Sequence, residues 1–237
     1  MHRNAIYYLR RMTHIGPQQA LRKACVALGL DVQNSDDALI VRHENKQLGV
    51  IREDSLSLDS EALNALGAVL PPISSEQGRA FDKALSELER DQIAIHEAGH
   101  AVAAYELGLR VCYARLDEVS EVQLCSECDV DSLDYADELK VIALQKYYAA
   151  GAAAERIIYG TNRPHGIAKD RRDVNVMETL LIEYQTGTLT EEVDVFEERV
   201  SQVQSLLRKQ QIAAIANELN RTGFLTREEL ESTLQVR

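Results

Sequence analysis

No uninterrupted apolar segment of this 237-residue chain approaches the ~18 residues of a membrane span, and its amino terminus has no apolar run suited to a secretory signal. An integral membrane segment is therefore not expected. No G-x-x-x-x-G-K-[ST] phosphate-binding loop occurs anywhere, so no ATP-driven motor is expected either. Cysteine is sparse: Cys25, Cys112, Cys125 and Cys128 make no dense disulfide framework for this length. They read as incidental reduced thiols in a reducing, cytoplasmic setting. Cys125-Ser126-Glu127-Cys128 is a lone C-x-x-C, half a structural metal knuckle at best, and Cys112 would add a third thiolate without a readable fourth ligand. Basic residues are outnumbered 26 to 38, for a net charge of −12. Residues 1–30 nevertheless hold four Arg and one Lys with no acid, which leaves the acidity to the body of the chain. An acidic body argues against generic nucleic-acid binding, which works by neutralising phosphates. The basic opening MHRNAIYYLRRM reads as a short helix capping a domain, with an organelle transit peptide and a membrane-surface helix as the alternatives.

What is present suggests a mainly α chain of α+β character in two parts. Pro17 to Leu30 has amphipathic helical spacing, Ala38 to His43 and Gln47 to Arg52 read as a strand pair around Glu44-Asn45-Lys46, and Glu61 to Val69 as a short helix. Pro71-Pro72 makes a stiff break. Residues 1–73 are thus a small amino-terminal α+β module, and residues 74–237 a second, mainly helical domain. There the spacing predicts one long helix or two joined helices from Ser75 to Gly108. Short strands over Arg110–Leu116 and Val119–Cys125 follow, then helices at about 136–159, 168–186, 190–219 and 226–234.

The long helix contains His96-Glu97-Ala98-Gly99-His100. Residues four apart on a helix lie about 40° apart around its axis and one turn along it, so both imidazoles reach one ion. Glu97 sits beside the ion, where a carboxylate takes a proton from a water that zinc acidifies to a pKa of about 7. Gly99 should cost about 1 kcal/mol against alanine inside a helix, so its place between two candidate ligands implies that something packs too close for a Cβ. His2, His14, His43 and His165 have no partner at ligand spacing. The His-x-x-Gly-x-x-His extension of metzincins is missing, since Glu106 stands where its last histidine belongs.

A third ligand must come from elsewhere. Positions 167, 170, 174, 177, 181 and 184 are Ile, Asp, Val, Met, Leu and Tyr, which puts Asp170 in the middle of an apolar helical stripe. A carboxylate there is costly unless paired or bound to a cation. Asp173, about 60° off the stripe, is the runner-up, and Arg171 and Arg172 project elsewhere. Glu155 is a further candidate, either as a carboxylate ligand or as a group supporting one. The run Ala149-Ala150-Gly151-Ala152-Ala153-Ala154 before it permits close packing against the histidine helix.

These motifs resemble the protease domain of the FtsH-type membrane-anchored ATP-dependent zinc metalloproteases. The likeness runs through IHEAGHAVAAYELG, through AAGAAAERIIYG (Ala149 to Gly160) and through GIAKD (Gly166 to Asp170), with a looser similarity from Leu206 to Leu230. The resemblance implies a helical zincin-like fold, a Zn2+ ion held by His96, His100 and Asp170, Glu97 as the general base, and a supporting place for Glu155. The family's membrane anchor and ATPase have no counterpart here, so substrate has to arrive already flexible or be delivered by a separate protein. The expectation is an ATP-independent zinc metalloendopeptidase acting on flexible or unfolded polypeptides. The alternative is a zincin-fold binding or regulatory module without turnover. An extended substrate would lie along a sheet edge, RVCYARL or VSEVQLC. Oligomeric state leaves no readable trace.

Overall fold

The structure, a computed structural model, describes residue 7 and residues 31–35, 38–43, 46–52, 72–117, 120–125, 133–160, 162, 166–191 and 193–235. The helices expected over Pro17–Leu30 and Glu61–Val69 lie outside the described residues, as do Cys25 and Cys128 and the histidines His2, His14 and His165. Contacts divide the chain into two compact units, Met1–Glu89 and Arg90–Arg237.

The first unit contains a three-stranded antiparallel sheet of β1 (Asp31–Ser35), β2 (Ala38–His43) and β3 (Lys46–Arg52), in that spatial order. β2 and β3 are the strand pair that alternation predicts. The polar sequence DVQNS gave no comparable signal for β1.

The long helix α1 covers Glu76–Glu106. Ser75 caps it, its Oγ accepting the Gly78 N–H at 3.0 Å. No proline interrupts the helix, and it ends before Gly108, whose φ of 69° is left-handed. The second unit continues with β4 (Val111–Arg115), β5 (Glu121–Leu124), α2 (Glu138–Tyr159), α3 (Ala168–Thr186), α4 (Phe196–Gln204), α5 (Lys209–Thr222), β6 (Phe224–Thr226) and α6 (Arg227–Gln235). Among the described residues the whole is mainly helical. No described helix is long and apolar enough to cross a membrane.

Three sequence expectations need correction. The helix predicted over 190–219 is two helices, because Arg208 is extended (φ −108°, ψ 124°) and the Leu206 N–H turns back to the Val203 carbonyl at 2.8 Å. That break buries Leu207, and no Pro or Gly marks it. The sheet has a third strand: Gly223, at φ 75°, turns the chain out of α5 and into β6, which pairs with β4 in the order β5-β4-β6. Finally, Cys112 and Cys125 are not free thiols but a disulfide. The β4–β5 pairing brings Cα atoms that are 13 residues apart in sequence to 5.3 Å, so Cys112 is no metal ligand and the cysteine argument for a reducing compartment fails. Closing a loop of that length stabilises the fold by about 3 kcal/mol in chain-entropy terms.

The core of the second unit is built around α2. Ala149, Ala150, Ala152, Ala153 and Ala154 are fully buried. Small side chains allow neighbouring backbones to approach closely, and α2 packs against both α3 and α4. A buried polar clamp sets their register: Arg199 on α4 donates through Nε to Gln145 on α2 at 2.7 Å and pairs with Glu178 on α3 at 3.2 Å. Gln145 also donates to Glu178 at 2.9 Å. These bonds cross from helix to helix and hold the three in one arrangement, while Arg199 Nη1 donates to Glu198 and Gln202 of its own helix.

Candidate metal centre

His96 and His100 lie one turn apart on the buried face of α1. Gly99 lets that face reach α2, since a Cβ there would stand 2.5 Å from the Ala150 carbonyl oxygen and 2.6 Å from the Ala154 Cβ. The close approach expected from the cost of a helical glycine is therefore present. Gly151 makes the same allowance from the other side: a Cβ on it would collide with the His96 imidazole.

Each histidine is oriented through its Nδ1. His100 Nδ1 lies 2.8 Å from the Tyr147 backbone carbonyl, which only accepts, so this nitrogen carries the proton. His96 Nδ1 lies 2.9 Å from the Glu155 carboxylate, and Glu155 is fully buried. The two Nε2 atoms therefore converge on the same point, 3.1 Å apart, each offering a lone pair there when its ring is neutral. Asp170, in the first turn of α3, completes the group with Oδ2 at 3.0 Å from His96 Nε2 and 3.4 Å from His100 Nε2. The His96–His100–Asp170 cluster could hold a metal ion.

The chemistry of this donor set tests the fit. Three electron pairs at such spacing repel one another unless positive charge lies among them. A proton shared between His96 and Asp170 meets part of that demand, and a divalent cation meets it in full. The spacing also suits a small ion, because a tetrahedral site with ligands at about 2.0–2.1 Å has edges of about 3.3–3.4 Å. The same demand for positive charge sets the direction in which the proton affinities of the cluster are displaced. Burial works to lower the His96 pKa, but the hydrogen bonds and charges of Asp170 and Glu155 overcome it and raise the group to about 10. Burial works to raise the Asp170 pKa, and the neighbouring His100 and His96 outweigh it and hold the carboxyl below the ordinary carboxylate range.

The neighbours separate the three carboxylates considered from sequence. Asp170 is buried within the stripe of Val174, Met177 and Leu181, although Tyr184 at the end of that stripe is exposed. Asp173 faces away and pairs with Arg172 at 3.4 Å. Glu155 supports His96 and does not enter the cluster. Arg171 is turned outward to Asp194 and Glu197, and Glu197 also takes Arg156 at 2.7 Å, so the start of α3 is tied to α2 and α4.

A cleft of about 560 Å³ opens over the cluster. Glu97, Tyr148, Lys169 and the β5 residues Glu121 to Leu124 line it. Glu97 is 7% exposed, and its carboxylate has no hydrogen bond among the described residues. A buried-side carboxylate left unpartnered beside three converging ligand atoms is available to a proton in the cleft. Sequence reasoning missed two participants. Tyr147 acts through its main-chain carbonyl, which leaves no trace in residue type, and Gly151 was noted for helix packing but not for its contact with His96.

Comparison with protein-family models and with curated protein sequences gives no match for this chain.

Proposed function

We propose that this chain is an ATP-independent zinc metalloendopeptidase of zincin-like fold that hydrolyses peptide bonds in flexible or unfolded polypeptides. The observation that carries the reading is the convergence of the His96 and His100 Nε2 atoms and a buried carboxylate beside the unpartnered Glu97, inside a cleft bordered by a sheet edge. The likeness of HEAGH, AAGAAAERIIYG and GIAKD to the FtsH-type protease domain supports it from an independent direction.

His96, His100 and Asp170 would hold the ion. Zinc, when bound, supplies Lewis-acid chemistry that acidifies water and draws charge from the scissile carbonyl. Glu155 and the Tyr147 carbonyl fix the tautomers of the two histidines, so that each directs Nε2 inward. Glu97 accepts a proton from the attacking water and delivers it to the departing amine, a carboxylate acting first as base and then as acid. Among the described residues β5 is an edge strand, which offers an extended chain main-chain pairing next to these groups whatever its side chains.

The test is hydrolysis by the purified, zinc-loaded chain of casein and of a tightly folded protein, each with and without ATP. Casein should be cut without nucleotide and the folded protein should resist, since only locally opened backbone reaches the cleft. Zinc retention with no cleavage of any unfolded substrate would instead favour the binding or regulatory module.

A further inference from the structure

β5 has one side toward β4 and one toward the cleft, and its register decides which groups face out. The Cys125 N–H donates to the Arg110 carbonyl at 2.9 Å, and Leu124, Gln123 and Val122 stand opposite Val111, Tyr113 and Ala114. In an antiparallel ladder the residues alternate, so Cys125 and Gln123 address β4 while Val122 and Leu124 turn their N–H and C=O groups outward. Both outward carbonyls are already engaged by the protein itself. The Tyr147 hydroxyl donates to the Val122 carbonyl at 2.6 Å, and the Gln123 side-chain amide donates to the Leu124 carbonyl at 2.8 Å. Neither outward N–H has a partner among the described residues. One lone pair of each outward carbonyl is thus taken while both N–H groups stay open, so this edge presents donors more freely than acceptors.

We propose that Tyr147 is a specificity-determining residue that makes β5 a donor-biased edge, so that a bound chain receives hydrogen bonds into its carbonyls and is not asked for an N–H opposite Val122. The substrate class widens accordingly to chains lacking an amide proton at that position, as at a prolyl residue. This inference rests on the peptidase reading for its substrate, though the edge chemistry is separately measurable. Tyr147 is well placed for the role. Its ring packs on His100 with centroids 5.1 Å apart and its carbonyl orients the same histidine, so the hydroxyl is held at a fixed distance from the metal cluster.

The experiment uses the zinc-loaded Glu97→Gln protein, to prevent turnover, and a short fluorescent casein-derived peptide whose amides are replaced one at a time by esters. An ester removes the N–H without adding bulk, and the carbonyl it weakens belongs to the preceding residue and points to the opposite side of the strand. With Tyr147 in place, every ester should bind within about twofold of the parent peptide. With Tyr147→Phe added, which frees the Val122 carbonyl but keeps the ring and the main chain, one ester should bind about three- to tenfold more weakly than the amide, the range of one net hydrogen bond. An ester penalty of that size while Tyr147 is present overturns the proposal, and this arm needs no variant at Tyr147. So does its absence in Tyr147→Phe, or failure of any peptide to bind. Uniform ester binding together with no cleavage by the Glu97-bearing protein would reject the peptidase reading and leave the edge assignment standing.

Discussion

His96 Nε2 and His100 Nε2 face each other at 3.1 Å while Nδ1 of each ring is directed away, one to Glu155 and one to the Tyr147 carbonyl. Two ring nitrogens held this close call for positive charge beside them, which a proton shared between His96 and Asp170 supplies in part and a divalent cation in full.

The third donor follows directly. Asp170→Ala should abolish stoichiometric zinc retention, measured by metal analysis after dialysis, because among the described residues it removes the one carboxylate oxygen within 3.4 Å of both nitrogens. Asp173→Ala should retain zinc like the parent, as its side chain pairs with Arg172 outside the cluster. Loss in the second variant and retention in the first would move the site.

The cluster also sets a pH dependence. In the folded chain without zinc the His96 pKa is raised from 6.5 to about 10 by Asp170 and Glu155 against the effect of burial, so the folded state binds this proton more tightly than the unfolded one. Its contribution to stability is complete below about pH 6.5 and is lost as pH rises toward 10. Denaturant unfolding of the chelator-treated protein should show that decline, and zinc affinity should rise over the same interval because zinc displaces the proton. Glu155→Gln should shrink the decline and weaken zinc binding by about 10- to 100-fold, the usual scale for a group that supports a ligand. A flat stability profile between these limits would contradict the assignment.

Gly151 decides between two opposing effects. Helix propensity alone says that Gly151→Ala stabilises by about 1 kcal/mol. The new Cβ, however, would collide with the His96 ring, and overpacking of this kind costs about 1–3 kcal/mol. Destabilisation with weakened zinc binding is the expected result, read by thermal unfolding and by metal titration. A stabilised variant with unchanged zinc affinity would show that α1 and α2 are not in the contact described.

Much of this site was legible in the sequence because it depends on spacing within single helices. The four-residue interval places His96 and His100 on one face, and the apolar periodicity from 167 to 181 makes Asp170 conspicuous as a carboxylate among Val174, Met177 and Leu181. Gly99 announced a close neighbour, and the small-residue run Ala149 to Ala154 is where that neighbour lies. What stayed hidden depends on pairings distant in the chain. β6 is three residues long and becomes a strand only because β4 lies beside it, and Cys112 meets Cys125 only through the register of β4 and β5. The break between α4 and α5 carries no helix-stopping residue and follows from the burial of Leu207. Tyr147 could not be found by residue type, since it positions His100 through a main-chain atom that every residue possesses.

The assignment of Glu97 as the base, distinct from the ligands, is tested most directly by Glu97→Gln. The substitution keeps size and hydrogen-bonding capacity but cannot accept the proton, so zinc should remain bound at parental stoichiometry while casein hydrolysis falls by about two to four orders of magnitude. His100→Ala, measured alongside, should lose both zinc and hydrolysis. Parental hydrolysis rates in zinc-loaded Glu97→Gln would contradict the account.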